Sequence, residues 1–139
     1  MNDLAMLMFG LSGGGSIKGE SYSEYITKNE AYGNSGADEF TGYVLNCNGY
    51  NFYMIDRGMI RLNLENPTLD SDGMLEVAET KTDFGGFLPC VYRTDGIYHP
   101  GMLYFYFNRV NLIPSTELPQ GKSSIQIRFS GAIYGKSTE

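Results

Sequence analysis

The sequence predicts an all-β protein: an antiparallel β-sandwich or jelly roll preceded by a short N-terminal helix and a Gly-rich hinge. Three observations point there. The 139-residue chain holds 18 Gly, 11 Tyr and 8 Phe and no Trp, a composition that suits short strands and tight turns better than helices. Apolar residues alternate with polar ones through most of the chain after Phe40, the period of a half-buried strand. Asn48-Gly49 lies between two such runs, and a type I′ turn favours that pair because both central residues take φ > 0.

Asn2 or Asp3 caps a helix whose body is Leu4 to Phe9 and which Gly10 ends. A two-turn helix is unstable in water by itself, so its Leu4, Leu7, Met8, Phe9 and Leu11 side chains need a surface to cover them. Gly13, Gly14 and Gly15 then uncouple the direction of this segment from that of the rest of the chain. Residues 1–16 form the anchor and hinge, 17–38 an extended arm or loop with at most one short strand around Tyr22 to Ile26, and 39–139 the β-domain.

Within that domain, the Asn48-Gly49 turn pairs Cys47 with Tyr50, Leu45 with Phe52 and Tyr43 with Met54. The apolar set Tyr43, Leu45, Cys47, Tyr50, Phe52 and Met54 is expected to face the core, with Val44, Asn46, Asn51, Tyr53 and Ile55 on the wetter side. Arg57-Gly58 reads as a turn into a strand in which Ile60, Leu62 and Leu64 point inward. Met74–Ala78 and Phe84–Arg93 are further strands, the second interrupted by Gly85-Gly86 and Pro89 as an edge or a bulge. Asp95-Gly96 is another tight turn. The run GMLYFYFNRVNLI puts Tyr104 and Tyr106 on one face and Phe105 and Phe107 on the other, and SIQIRFSGAIYG places Ile125, Ile127, Phe129, Gly131 and Ile133 inside. Seven or eight short strands are expected, and no solenoid or propeller repeat is visible.

Charge and motifs exclude several functions. Net charge is −6 and no Lys/Arg cluster exists, so no basic face is available to displace counterions from nucleic acid. The apolar run at the N-terminus is far shorter than the ~20 residues of a membrane helix. It has no Lys or Arg before Lys18 and no A-x-A-like site, unlike a signal peptide. Cys47 and Cys90 read as buried free thiols, a single disulfide being the alternative. The sole histidine, His99, has no nucleophile placed beside it. Asp56, Arg57, Asp95 and His99 are the turn-borne groups that an enzyme would have to bring together. DSDG at Asp70–Gly73 resembles a calcium loop, but Lys81 stands where the bidentate carboxylate belongs, so an Asp-bonded turn is the better reading. GKSS at Gly121 mimics a phosphate loop with a strand following in place of a helix. No catalytic residue, metal site or cofactor is expected. Tyr98, Tyr104, Tyr106 and Tyr134 form an outward surface suited to a protein interface, where Tyr is enriched, or to stacking on a sugar.

The order MNDLAMLM…GLSGGGS, then a Tyr/Gly/Asn-rich β-domain ending in SIQIRFSGAIYG, resembles small virion structural proteins of tailed bacteriophages: head-fibre, capsid-decoration and tail-associated proteins. The likeness is one of layout and composition. It implies a non-enzymatic assembly protein, made in the host cytoplasm and located in the virion. Its partners would be other virion proteins and copies of itself in symmetric homo-oligomers such as trimers; a host-surface glycan is the partner that the outward tyrosines would add. It implies no cofactor and no chemistry, while charge and the short apolar run separately point away from nucleic acid and membrane insertion.

Overall fold

The computed structural model describes residues 20–28 and 38–136. The anchor helix expected at Leu4 to Phe9 and the hinge at Gly13–Gly15 lie outside the described residues. Those described form six antiparallel strands: β1 (Glu20–Lys28), β2 (Asp38–Cys47), β3 (Tyr50–Glu65), β4 (Leu75–Thr94), β5 (Ile97–Pro114) and β6 (Lys122–Lys136). All belong to one sheet in the order β1-β2-β3-β6-β4-β5, and β1 also pairs with β4. One edge of β4 runs along β5. Its other edge is shared by β6, through Phe84–Gly85 and Cys90–Thr94, and by β1, through Ala78 and Glu79. The ladder β1-β2-β3-β6-β4 therefore closes on itself, and β5 keeps the free edge among the described strands.

The β2–β3 hairpin has the predicted register. Cys47 pairs with Tyr50, Leu45 with Phe52 and Tyr43 with Met54, across Asn48 (φ 52) and Gly49 (φ 83). Asp95 (φ 50) and Gly96 (φ 79) make the same kind of two-residue turn between β4 and β5. The faces of the β2–β3 hairpin, however, are the reverse of those expected. Asn51, Tyr53 and Ile55 are buried, while Tyr43, Tyr50 and Met54 are exposed.

The cause lies at Arg57-Gly58, where β3 passes straight through instead of turning. Pairing of β3 with β6 jumps from Ile55↔Gly131 to Gly58↔Phe129, so three steps along β3 match two along β6. This bulge shifts the buried set from odd to even positions. Beyond it Ile60, Leu62 and Leu64 are buried as expected. Without it, Phe52 and Met54 would share their face.

Similar irregularities explain why six long strands stand where seven or eight short ones were expected. β4 pairs with β5 from Leu75 to Thr94, with register shifts between Glu76 and Ala78 and between Glu79 and Phe84. The chain carries through each irregularity without leaving the sheet. Pro89 falls where the β4–β6 ladder skips from Gly85↔Tyr134 to Cys90↔Phe129, so its missing N–H leaves no bond unmade on that side. Phe107 departs from the expected alternation. It stands opposite the buried Phe84, but its left-handed backbone (φ 53) leaves the ring exposed.

The core centres on six aromatic rings, one from each strand: Tyr22, Phe40, Tyr53, Phe84, Phe105 and Phe129. Phe40 is fully buried. Its centroid lies 5.4 Å from Phe84, 6.1 Å from Phe129, 6.3 Å from Phe105 and 6.1 Å from Tyr22. Phe84 meets Tyr53 edge-on at 4.9 Å and Phe105 at 6.1 Å. Most of these pairs are edge-to-face, which sets the positive rim of one ring against the negative face of the next. Aliphatic residues of β3, β4, β5 and β6 extend the core from there, among them Leu62, Val77, Leu103 and Ile127.

Phe40→Ala is expected to cost about 3–5 kcal/mol of unfolding free energy in urea titration. Phe87→Ala, the same truncation on the outward face, should cost about 1 kcal/mol, the worth of one ring pair. Equal losses would contradict the placement of Phe40 at the centre.

Candidate functional site

Residues directly opposite each other in antiparallel strands project to the same face. On the outward side this links Leu45 to Phe52, Phe52 to Tyr134, Tyr134 to Gly85, and Gly85 to Tyr106. One row thus crosses five strands, with no charged residue in it. Tyr134 is 56% exposed and Tyr106 is 52% exposed. Flanking the row on β2 and β3 are the exposed Tyr43 and Met54, a cross-strand pair, and Tyr50 opposite Cys47.

Gly85 shapes the row. A Cβ there would lie 2.7 Å from Cε2 of Tyr134, so a larger residue would lift that ring off the sheet. Beside it, Phe87 stacks on Tyr104 (4.5 Å, 21°), Tyr104 on Tyr106 (5.8 Å, 25°), and Tyr106 meets Phe107 edge-on (4.6 Å). The Tyr134 ring also comes within 3.7 Å of where a Cβ on Gly86 would stand, so it lies across β4 and reaches toward this ladder.

Of the tyrosines singled out from sequence, Tyr104, Tyr106 and Tyr134 come together on this face. Tyr98 stands apart, six residues and about 20 Å along β5 from Tyr104, with the Arg93 guanidinium 5.5 Å above its ring. Phe87, Phe52, Tyr43, Tyr50 and Met54 belong to the same surface and were missed. The signal was Asp56-Arg57, a charged pair in the middle of an apolar run, which marks a bulge as readily as a turn. Leu4, Leu7, Met8, Phe9, Leu11 and Gly13–Gly15 lie outside the described residues.

The ionisable candidates do not converge. Asp56 and Arg57 line a depression of about 560 Å³ together with Arg128 and Ser130. Asp95 lines another, of about 450 Å³, with Arg61 and Arg93. His99 lines neither and stacks on Tyr92 at 5.2 Å. The Asp70 segment is the hydrogen-bonded turn expected: its Oδ1 accepts from the N–H groups of Asp72 (2.8 Å) and Met74 (3.0 Å). After Gly121 comes β6, a strand, and the Gly121 N–H donates to Oδ1 of Asn66 at 2.7 Å. Among the described residues no cluster of His, Cys, Asp and Glu could hold a metal ion.

Cys47 and Cys90 are both free thiols. Cys90 is buried, and burial pushes its thiol up from 9.0 to about 12, which keeps it protonated and unreactive at neutral pH. Because the unfolded thiol ionises near 9.0 and the folded one near 12, this group's contribution to stability is present below the first value. It is lost as pH rises between the two.

No protein-family model, curated protein or solved structure is similar to this chain at a significant level.

Iodoacetamide at mildly alkaline pH should label one thiol per folded chain, at Cys47, by mass spectrometry. Labelling of Cys90 should appear only with urea. Two labels in the folded protein would contradict its burial.

Proposed function

We propose that the protein is a non-catalytic structural and assembly component that docks through the outward row Leu45–Phe52–Tyr134–Gly85–Tyr106. One observation supports this above others: an uncharged, largely aromatic surface spans five strands, and no described residue covers it. A soluble domain that leaves such a patch bare risks aggregation unless something covers it. Tyr and Phe on a rigid sheet bury large areas at low entropy cost, which suits them to repeated contacts between identical subunits.

Within this reading the chain is a virion component of a tailed bacteriophage: a capsid-decoration, head-fibre or tail-associated protein. It attaches to the particle through an N-terminal helix bearing Leu4, Leu7, Met8, Phe9 and Leu11, with Gly13–Gly15 as the hinge. Its β-domain is of the sandwich or jelly-roll kind, and its partners are other virion proteins and copies of itself. A second reading, carbohydrate binding, draws on the near-parallel Phe87, Tyr104 and Tyr106 rings, whose faces suit the C–H groups of a pyranose.

Light scattering after size exclusion, from low micromolar to millimolar protein, tests the first reading. The full chain should reach a defined oligomer as concentration rises. Tyr134→Asp and Tyr106→Asp should raise the concentration required by an order of magnitude or more, with unchanged far-UV circular dichroism. A protein that stays monomeric throughout, with or without the substitutions, contradicts it. Retention on a glycan affinity gel that falls with Tyr104→Ala would favour the second reading.

A further inference from the structure

We infer that residues 4–11 of the chain dock on the outward row of their own β-domain and shelter it until assembly. The inference rests on the reading of that row as a docking surface. It names the first occupant.

The exit point of the chain makes the contact available. β1 begins at Glu20, which pairs with Val44, and Val44 adjoins Leu45, the first member of the row. Eight residues, 12–19, join Leu11 to Glu20, and extended they span up to about 28 Å. The row itself is four strand spacings wide, about 19 Å. The helix that the sequence predicts over residues 4–9 would be about 9 Å long. The tether is therefore long enough to reach any part of the row.

The two surfaces also match in chemistry. Residues 4–11 read LAMLMFGL and carry no charge, like the five positions of the row. Met and Leu are flexible enough to fill the spaces between fixed rings, and methionine sulfur packs well at ring edges. A tether this short holds the segment near the row at an effective concentration in the millimolar range, so in dilute protein its own domain outcompetes a second copy. At high local concentration, as on a particle, a neighbouring surface can replace the contact. That exchange would release the segment and uncover the row together.

Cross-linking in the full chain tests this. Cys47 lies on the outward face two residues beyond Leu45 and is partly exposed, whereas Cys90 is buried. Met8→Cys and, separately, Leu11→Cys at low micromolar protein under mild oxidation should form an intramolecular disulfide with Cys47. It would appear as a faster-migrating monomer on non-reducing gels. Its rate should not depend on protein concentration, and it should vanish with Cys47→Ser or in urea.

A second readout needs no added cysteine. Hydroxyl-radical oxidation of Met54 and Tyr134 should rise several-fold in the double variant Leu7→Asp/Met8→Asp, with Tyr98 unchanged. Absence of the disulfide at both positions together with equal oxidation would overturn the inference, as would disulfide-linked dimers in place of the monomeric product. Concentration-dependent association that Tyr134→Asp weakens would then still stand, so the two readings fail separately.

Discussion

Everything else in this structure depends on the cluster of six aromatic rings, one donated by each strand. Phe40 and Phe84 are its hubs: Phe40 meets rings from β1, β4, β5 and β6, and Phe84 meets rings from β1, β2, β3 and β5. A sheet this strongly curved needs large side chains where its strands converge, and rings packed edge-to-face fill that space with defined geometry. Tyr22 adds a polar anchor, its hydroxyl lying 3.3 Å from that of Thr82, which ties β1 to the middle of β4. Pairing of Thr27 and Lys28 with Glu79 and Ala78 continues β1 beyond its ladder with β2 and closes part of an edge that would invite other chains.

The ring cluster also explains the outward face. Phe40 must point inward to join it, and so must Tyr53, which sets odd positions inside over the first half of β3. Ile60, Leu62 and Leu64 impose even positions on the second half. A strand cannot satisfy both without an extra residue, and the bulge around Asp56 and Arg57 supplies it. The consequence is that Phe52, Met54 and Tyr50 are turned out. The apolar surface is thus a by-product of core packing as well as a candidate for binding.

Much of this was legible in the sequence. Asn48-Gly49 and Asp95-Gly96 fixed two turns and the hairpin register, because a positive φ at two adjacent positions leaves few alternatives. Alternation identified the inward set of the second half of β3 and, in β6, Ile125, Ile127, Phe129 and Ile133, but not Gly131, which is exposed. What alternation could not reveal is which of two apolar faces wins, since Phe52 and Met54 are as hydrophobic as Tyr53 and Ile55. That choice is made by distant partners: Phe84 on β4 for Tyr53, and the shifted pairing with β6 for Ile55. Tyr104, Tyr106 and Tyr134 were recognisable as outward from local pattern. Their assembly into one row with Gly85 requires the strand order β3-β6-β4-β5, in which β6 inserts between earlier strands, and no local pattern encodes it.

The claim that the bulge turns the hairpin outside in is tested most directly by two neighbouring substitutions in β3. Thermal and urea unfolding of Met54→Asp should stay cooperative, with the midpoint within a few degrees of the parent. Ile55→Asp should lose more than about 3 kcal/mol or fail to fold, because it buries an unpaired carboxylate. The reverse order of damage would mean that Phe52 and Met54 form the core, and the outward row with its proposed docking role would fall with it.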